Sequence, residues 1–277
     1  MDDTVIIIIA SVVAFLLLSF CVYLFMIKPG KRREGMEKFK NVRYAHRGLH
    51  GEAGEENSLS AFRAATDAGF GIELDVRLSS DGVLVVFHDD TLDRVTKESG
   101  RVDSRTYEEL SKIKLGETLD TIPTFEEVLS LVDGRVPLLV EIKEDAGCDA
   151  VTKKTVEILK SYKGDYIIES FNPLSLGKLK SLYPEAMRGQ LSDMFMKQKK
   201  FRKPMYFLLQ TLALNVVSRP DFIAYSIATA KSSLPFKLVK SLFRVPTLAW
   251  TVRSDEEEKL ARRLGFDGII FENYIPK

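Results

Sequence analysis

From residue 42 onward the chain alternates short apolar runs with amphipathic stretches, and this rhythm restricts the fold more than any other feature. The apolar runs start near 42, 71, 137, 166, 186, 221, 246 and 267, with helical stretches between them. Eight β/α units in about 235 residues predict an α/β fold of one kind, a closed (β/α)8 TIM barrel. An open doubly wound sheet is the rival, but no Gly-x-Gly-x-x-Gly follows the first strand. Local signals agree with the rhythm. Asn57 or Ser58 caps a helix that stops at Gly69, Thr124 stands three residues before Glu127, and Ser254 three before Glu257. Residues 91–122 are polar and turn-rich, too long for an ordinary connection, and read as a small insertion after the second strand.

The stretch Gly71 to Asp90, GIELDVRLSSDGVLVVFHDD, carries two strand segments around the turn residues 79–82. Glu73, Asp75 and Arg77 alternate with Ile72, Leu74 and Val76, so both carboxylates share one face. A reversal near residues 80–82 brings His88 back beside Leu74, within a residue of both acids. Two acids and an imidazole at one spot point to a metal site with an acid/base partner. Arg77, further out on that face, reads as a support for the turn.

In a barrel of this kind chemistry gathers at the C-terminal strand ends. Taken in order those ends carry His46-Arg47, Glu73 and Asp75, Glu141 and Lys143, Ser170, Gln190, Trp250 and Glu272. Glu73, Asp75 and Glu141 in one mouth would repel each other without a cation, and hard oxygen ligands select Mg²⁺ or Ca²⁺. The sequence has three histidines, His46, His50 and His88, and no Cys-x2–4-Cys pair to complete a zinc site beside them. Arg47 and Lys143 would face an anion such as a phosphate. His50 lies outside any strand and reads as an ordinary loop residue.

The N-terminus departs from this globular pattern. Thr4 to Ile27 is a run of 24 residues without a charge, long enough to cross a bilayer, between Met1-Asp2-Asp3 and Lys28-Pro29-Gly30-Lys31-Arg32-Arg33. The basic flank predicts a single-pass anchor with the body in the cytoplasm, where a cleavable signal peptide would need a basic start. The expected organisation is a transmembrane anchor over 1–27, a basic juxtamembrane linker over 28–40 and a catalytic domain over 41–277. The segment 194–217 holds five cations between Lys197 and Lys203, then a 13-residue apolar run, and reads as a buried barrel helix or as an interfacial helix on the membrane. Net charge is +1, so no charge bias points to a nucleic-acid partner and none is expected, and nothing implies a protein partner. Cys21 and Cys148 lie in unlike surroundings and predict no disulfide.

The motifs AHRG, the ENS helix start, GIELDVRLSSDGVLVVFHDDTLDR, LLVEIK, ESFNPLSL, PDFIAY, AWTV and GFDGII, in that order, resemble the glycerophosphodiester phosphodiesterase family across roughly residues 42–272. The resemblance implies a (β/α)8 barrel with a small insertion. It implies Glu73, Asp75 and Glu141 around one divalent cation, with His46 and His88 as the acid/base pair. It also implies Arg47 and Lys143 on the phosphate and Trp250 shaping the pocket for the alcohol. Glu55, Arg253 and Phe271-Glu272 depart from the family's usual residues, and bear on the leaving group rather than on the metal or histidine positions. The expected activity is metal-dependent cleavage of glycerophosphodiesters to glycerol 3-phosphate and an alcohol. Two alternatives stand beside it: a lysophospholipase D acting on membrane lipid, and a catalytically silent barrel that binds lipid headgroups.

Overall fold

Strand propensity and period-two patterning from residue 42 produce a closed barrel in the computed structural model, which describes residues 2–30, 34–144, 148–197 and 204–277. Its strands are β1 (Arg43–His46), β2 (Gly71–Leu78), β3 (Leu84–Val86), β4 (Leu138–Ile142), β5 (Tyr166–Ser170), β6 (Arg188–Ser192), β7 (Phe222–Ser226), β8 (Thr247–Val252) and β9 (Gly268–Phe271). All but β3 run parallel, in the order β1-β9-β8-β7-β6-β5-β4-β2, and pairing of β1 with β2 closes the ring. The expected eight-stranded barrel is therefore the fold. Antiparallel β3 extends the far side of β2 in the anticipated register, Val76 opposite Val86 and Leu78 opposite Leu84. The insertion that follows packs its own small core from Leu92, Val102, Leu110, Leu115 and Ile122.

Period two divides each strand between two environments. On β4, Leu138, Val140 and Ile142 face the surrounding helices, whereas Leu139 faces the barrel axis with Tyr44, Ile167, Phe222 and Ile270. The inward series therefore changes character along the strand, from Leu139 to Glu141, which is also buried, and on to Lys143. Apolar layers fill the lower barrel and charge collects at the mouth. The floor is closed by Met36 and Phe39 from a short helix, Glu34–Phe39, that falls inside the stretch expected as a basic linker. Lys31, Arg32 and Arg33 of that stretch lie outside the described residues.

The helix Leu59–Asp67 is capped by Ser58, whose hydroxyl accepts from the Ala61 amide. Asn57 is thereby released to another task, described below. Before it, Arg47 and Gly48 both take positive φ, +58° and +84°, in the turn that follows β1. A side chain at Gly48 would come within 2.9 Å of the Ala61 carbonyl carbon. This turn can be tight only because position 48 has no Cβ.

The helix Asp3–Ile27 is long and apolar enough to cross a membrane. Its residues 3–22 are exposed, and only its last turn rests on the barrel, where Ile27 is fully buried. The segment 194–217 is not one helix. It begins with a single turn, Phe195–Lys197, and contains the helices Pro204–Gln210 and Asn215–Ser218. The cations Lys199, Lys200, Arg202 and Lys203 lie outside the described residues. Cys21 and Cys148 are both free.

Gly48→Ala combines an unfavourable φ with a backbone clash, and is expected to cost about 1–3 kcal/mol in chemical denaturation. A loss below about 0.5 kcal/mol would mean the turn relaxes freely.

Candidate active site

The inward positions near the ends of β1, β2 and β4 bring His46, Glu73, Asp75 and Glu141 together on two successive levels of the mouth. His46 is the register partner of Glu73, and Asp75 that of Glu141. Carboxylate oxygens of Glu73, Asp75 and Glu141 all lie within 4.8 Å of one another, and all three residues are buried. Lys143 reaches into the group, its Nζ 3.1 Å from Asp75 Oδ1 and 2.7 Å from Glu141 Oε1. Arg47 lies on the other side, donating its amide to Glu73 Oε2 at 2.9 Å with its Nε 3.5 Å from Asp75 Oδ2. Asn57, freed from capping, donates its Nδ2 to Asp75 Oδ2 at 2.9 Å.

Burial of so much negative charge decides the electrostatics. Burial, reinforced by Asp75 and Glu141, raises Glu73 well above the usual carboxylate range. Burial also pushes Glu141 up to about 7, against the pull of Lys143. Asp75 is buried too, but Lys143, His88, Arg47 and the Asn57 amide together hold it below the usual range. A fourth carboxylate lies close by. Glu169, the register partner of Glu141 on β5, is 1% exposed, its Oε2 has no hydrogen-bond partner, and burial with Glu141 and Glu73 raises its pKa strongly. Four carboxylates therefore stand against Arg47 and Lys143, a deficit of positive charge that suits a divalent cation. The all-oxygen donor set of Glu73, Asp75 and Glu141 matches a hard ion.

His46 and His88 each have one ring nitrogen held by a carboxylate. His46 Nδ1 is 3.3 Å from Glu272 Oε1, and its Nε2 is turned to Glu73 Oε2 at 4.0 Å. His88 Nδ1 is 2.5 Å from Asp89 Oδ1. With Nδ1 donating to a carboxylate, Nε2 becomes the basic atom on each ring. Burial lowers the pKa of both, to about 4 for His88, where Asp75 opposes the shift and Lys143 and Arg47 add to it. The carboxylates are fixed in turn. Arg253 binds Glu272 Oε2 at 2.8 Å through Nε, and Arg94 links Asp89 Oδ2 (2.6 Å) to Glu56 (2.6 and 2.8 Å). Glu56 also accepts from Arg47 at 2.6 Å. One chain of ion pairs thus runs from the insertion to Arg47.

Every expected site residue comes to this mouth, Trp250 included, whose ring meets Phe171 edge-on at 5.5 Å. Phe171 in turn lies 5.9 Å from Lys143 Nζ. Two expectations are corrected. His50 is not an isolated loop residue, since its Nε2 lies 3.5 Å from Glu272 Oε1. Arg77 braces the far loop rather than the turn, donating Nε to the His88 carbonyl at 2.9 Å and pairing Nη1 with Asp90 at 2.7 Å. Glu169 and Arg94 were not anticipated. Alternation along β5 places Glu169 in phase with Ile167 on the inward face, a signal present in the sequence. Arg94 lies in the irregular insertion, where no period assigns a direction.

The profile of the glycerophosphoryl diester phosphodiesterase family matches residues 46–275. A glycerophosphodiester phosphodiesterase of Caldanaerobacter subterraneus is 33% identical, over 84% of this chain and 95% of that protein. The Thermotoga maritima glycerophosphodiester phosphodiesterase superposes with a TM-score of 0.65 at 27% identity, covering 83% of this chain and 94% of that one. A phosphodiesterase of Oleispira antarctica, solved with its product sn-glycerol-3-phosphate, gives a TM-score of 0.70 at 24% identity, covering 84% and 94%, and bears on the fold.

Because burial pushes Glu73 and Glu141 toward the protonated form, which a cation must compete with, binding of Mg²⁺ or Ca²⁺ near pH 7 is expected to release protons. Affinity should therefore climb between about pH 6 and 8. Calorimetric titration in buffers of different ionisation enthalpy measures this; identical heats in all of them would contradict the protonated cluster.

Proposed function

The chain belongs to the glycerophosphoryl diester phosphodiesterase family and is a phosphoric diester hydrolase, and we propose that it cleaves glycerophosphodiesters to glycerol 3-phosphate and an alcohol with one Mg²⁺ or Ca²⁺ and two histidines. The observation that carries this reading is the pairing of a three-carboxylate cluster with two imidazoles, each held at Nδ1 by its own carboxylate. A diester resists attack because its charge repels nucleophiles and its leaving alkoxide is a strong base. The reaction needs charge neutralised, a proton removed and a proton supplied.

In this reading Glu73, Asp75 and Glu141 hold the cation, which when bound supplies charge stabilisation at a phosphoryl oxygen. The remaining work belongs to side chains of the chain itself. Arg47 and Lys143 bind the phosphate oxygens and orient the diester. Lys143 is suited to this because burial opposes its charge while Asp75 and Glu141 more than restore it, so the ammonium persists in a dry site. His46 and His88 act through Nε2, one taking the proton of the attacking oxygen and the other giving a proton to the departing alcohol. Glu272 and Asp89 keep each ring oriented and stabilise the imidazolium as it forms. Trp250 and Phe171 give the alcohol an apolar wall beside Lys143. The helix Asp3–Ile27 serves as a single-pass anchor, with the barrel on the cytoplasmic side as the basic flank directs.

His46→Ala and His88→Ala are each expected to lower the rate of glycerol 3-phosphate release by about 10² to 10⁴ while leaving the barrel folded. Turnover within a few-fold of the parent in either variant would remove that histidine from the reaction.

A further inference from the structure

The last turn of the N-terminal helix fixes a direction. Tyr23 donates its hydroxyl to the Thr211 carbonyl at 2.9 Å, and Asn215 donates to the Ile27 carbonyl at 3.1 Å. Arg219 binds the Lys28 carbonyl at 2.8 Å, and the Gly30 amide donates to Pro220 at 2.7 Å. From residue 23 to residue 30 the partner moves from 211 to 220, with the long Arg219 side chain also reaching back to the Phe25 carbonyl at 2.7 Å. Thr211 follows the helix Pro204–Gln210 on the side reached after the C-terminal end of β6, which is the mouth. Pro220 stands just before β7, at the closed end. The helix therefore descends along the barrel wall, and its exposed residues 3–22 leave toward the catalytic mouth. Those 20 residues rise about 30 Å at about 1.5 Å each, which matches a hydrocarbon core of about 30 Å.

A second observation lies on that side. The helix Pro204–Gln210 presents Met205 (54% exposed), Phe207 (54%) and Leu208 (41%) to the outside. It is tied to the rim through Ser192 Oγ, which donates to the Leu209 carbonyl at 3.2 Å. From Tyr206 an aromatic file leads inward, to Phe195 at 5.8 Å, then Phe171 at 5.9 Å, then Trp250 at 5.5 Å. The exposed apolar face thus adjoins the departing helix on one side and the site's apolar wall on the other.

We infer that the barrel mouth faces the bilayer surface, with Met205, Phe207 and Leu208 seated at the lipid interface, so that a single-chain glycerophosphodiester lipid reaches the site along the Tyr206–Phe195–Phe171 file. The arrangement is an interfacial helix set beside a spanning one. The substrate consequence rests on the diesterase reading; the orientation rests on the helix being a membrane span.

The test uses the full chain in lipid nanodiscs whose acyl chains are brominated close to the glycerol. A bimane label is placed at native Cys21, at Phe207→Cys, or at Lys163→Cys on the closed end, with the other native cysteines replaced by serine. Quenching of at least about twofold is expected at 21 and 207 and none at 163. Quenching at 21 with 207 no more quenched than 163 overturns the orientation while the anchor stands. No quenching at 21 removes the span and the inference with it. In the same discs Phe207→Asp is expected to lower turnover of lysophosphatidylcholine by about tenfold and that of soluble glycerophosphocholine by less than about twofold. Equal losses on both overturn the lipid route. A parent protein that cleaves neither diester refutes the diesterase reading, with quenching still deciding the orientation.

Discussion

Concentrated negative charge in a dry barrel mouth is the constraint around which this molecule is built. Glu73, Asp75, Glu141 and Glu169 all lie on inward strand positions where solvent does not reach. Isolated carboxylates in such a place would take up protons, and Glu73, Glu141 and Glu169 do lean that way. Asp75 escapes because Lys143, Arg47 and the Asn57 amide converge on it. The cluster is poised between protonation and cation binding, and the apolar layers beneath it keep the dielectric low enough for that balance to matter.

Much of the surrounding structure serves to hold this balance. The positive φ of Arg47 and Gly48 turns the chain so that the Arg47 amide and guanidinium both address the cluster. Ser58 takes over the helix cap, and Asn57 is free to reach Asp75. The insertion contributes through Arg94, whose contacts with Glu56 and Asp89 connect Arg47 to His88. Glu272 links His46, His50 and Arg253 at the opposite edge. Each histidine is thus oriented by a carboxylate that a nearby arginine restrains.

The parts of this arrangement that follow period two were legible from residues alone. Alternation along GIELDV placed Glu73 and Asp75 together, and the 79–82 turn set the hairpin register that returns the chain toward His88. The same rule applied to YIIES would have shown Glu169 facing Glu141. What could not be read is the non-local pairing of irregular segments. Nothing in the sequence sets Arg94 against Glu56, or His50 against Glu272, because loop geometry and not periodicity decides those contacts. The segment 194–217 escaped for a related reason: its apolar run is divided by turns at 211–214, so the exposed face of Pro204–Gln210 has no continuous pattern behind it.

The central claim is that a divalent cation held by Glu73, Asp75 and Glu141 is needed for diester cleavage. Phosphorus NMR of glycerophosphocholine incubated with metal-depleted enzyme, followed by stepwise return of Mg²⁺ or Ca²⁺, addresses it most directly. Glycerol 3-phosphate is expected to appear only after the metal returns, and Asp75→Asn is expected not to recover under the same additions. Cleavage at an undiminished rate by enzyme verified free of divalent metal would contradict it.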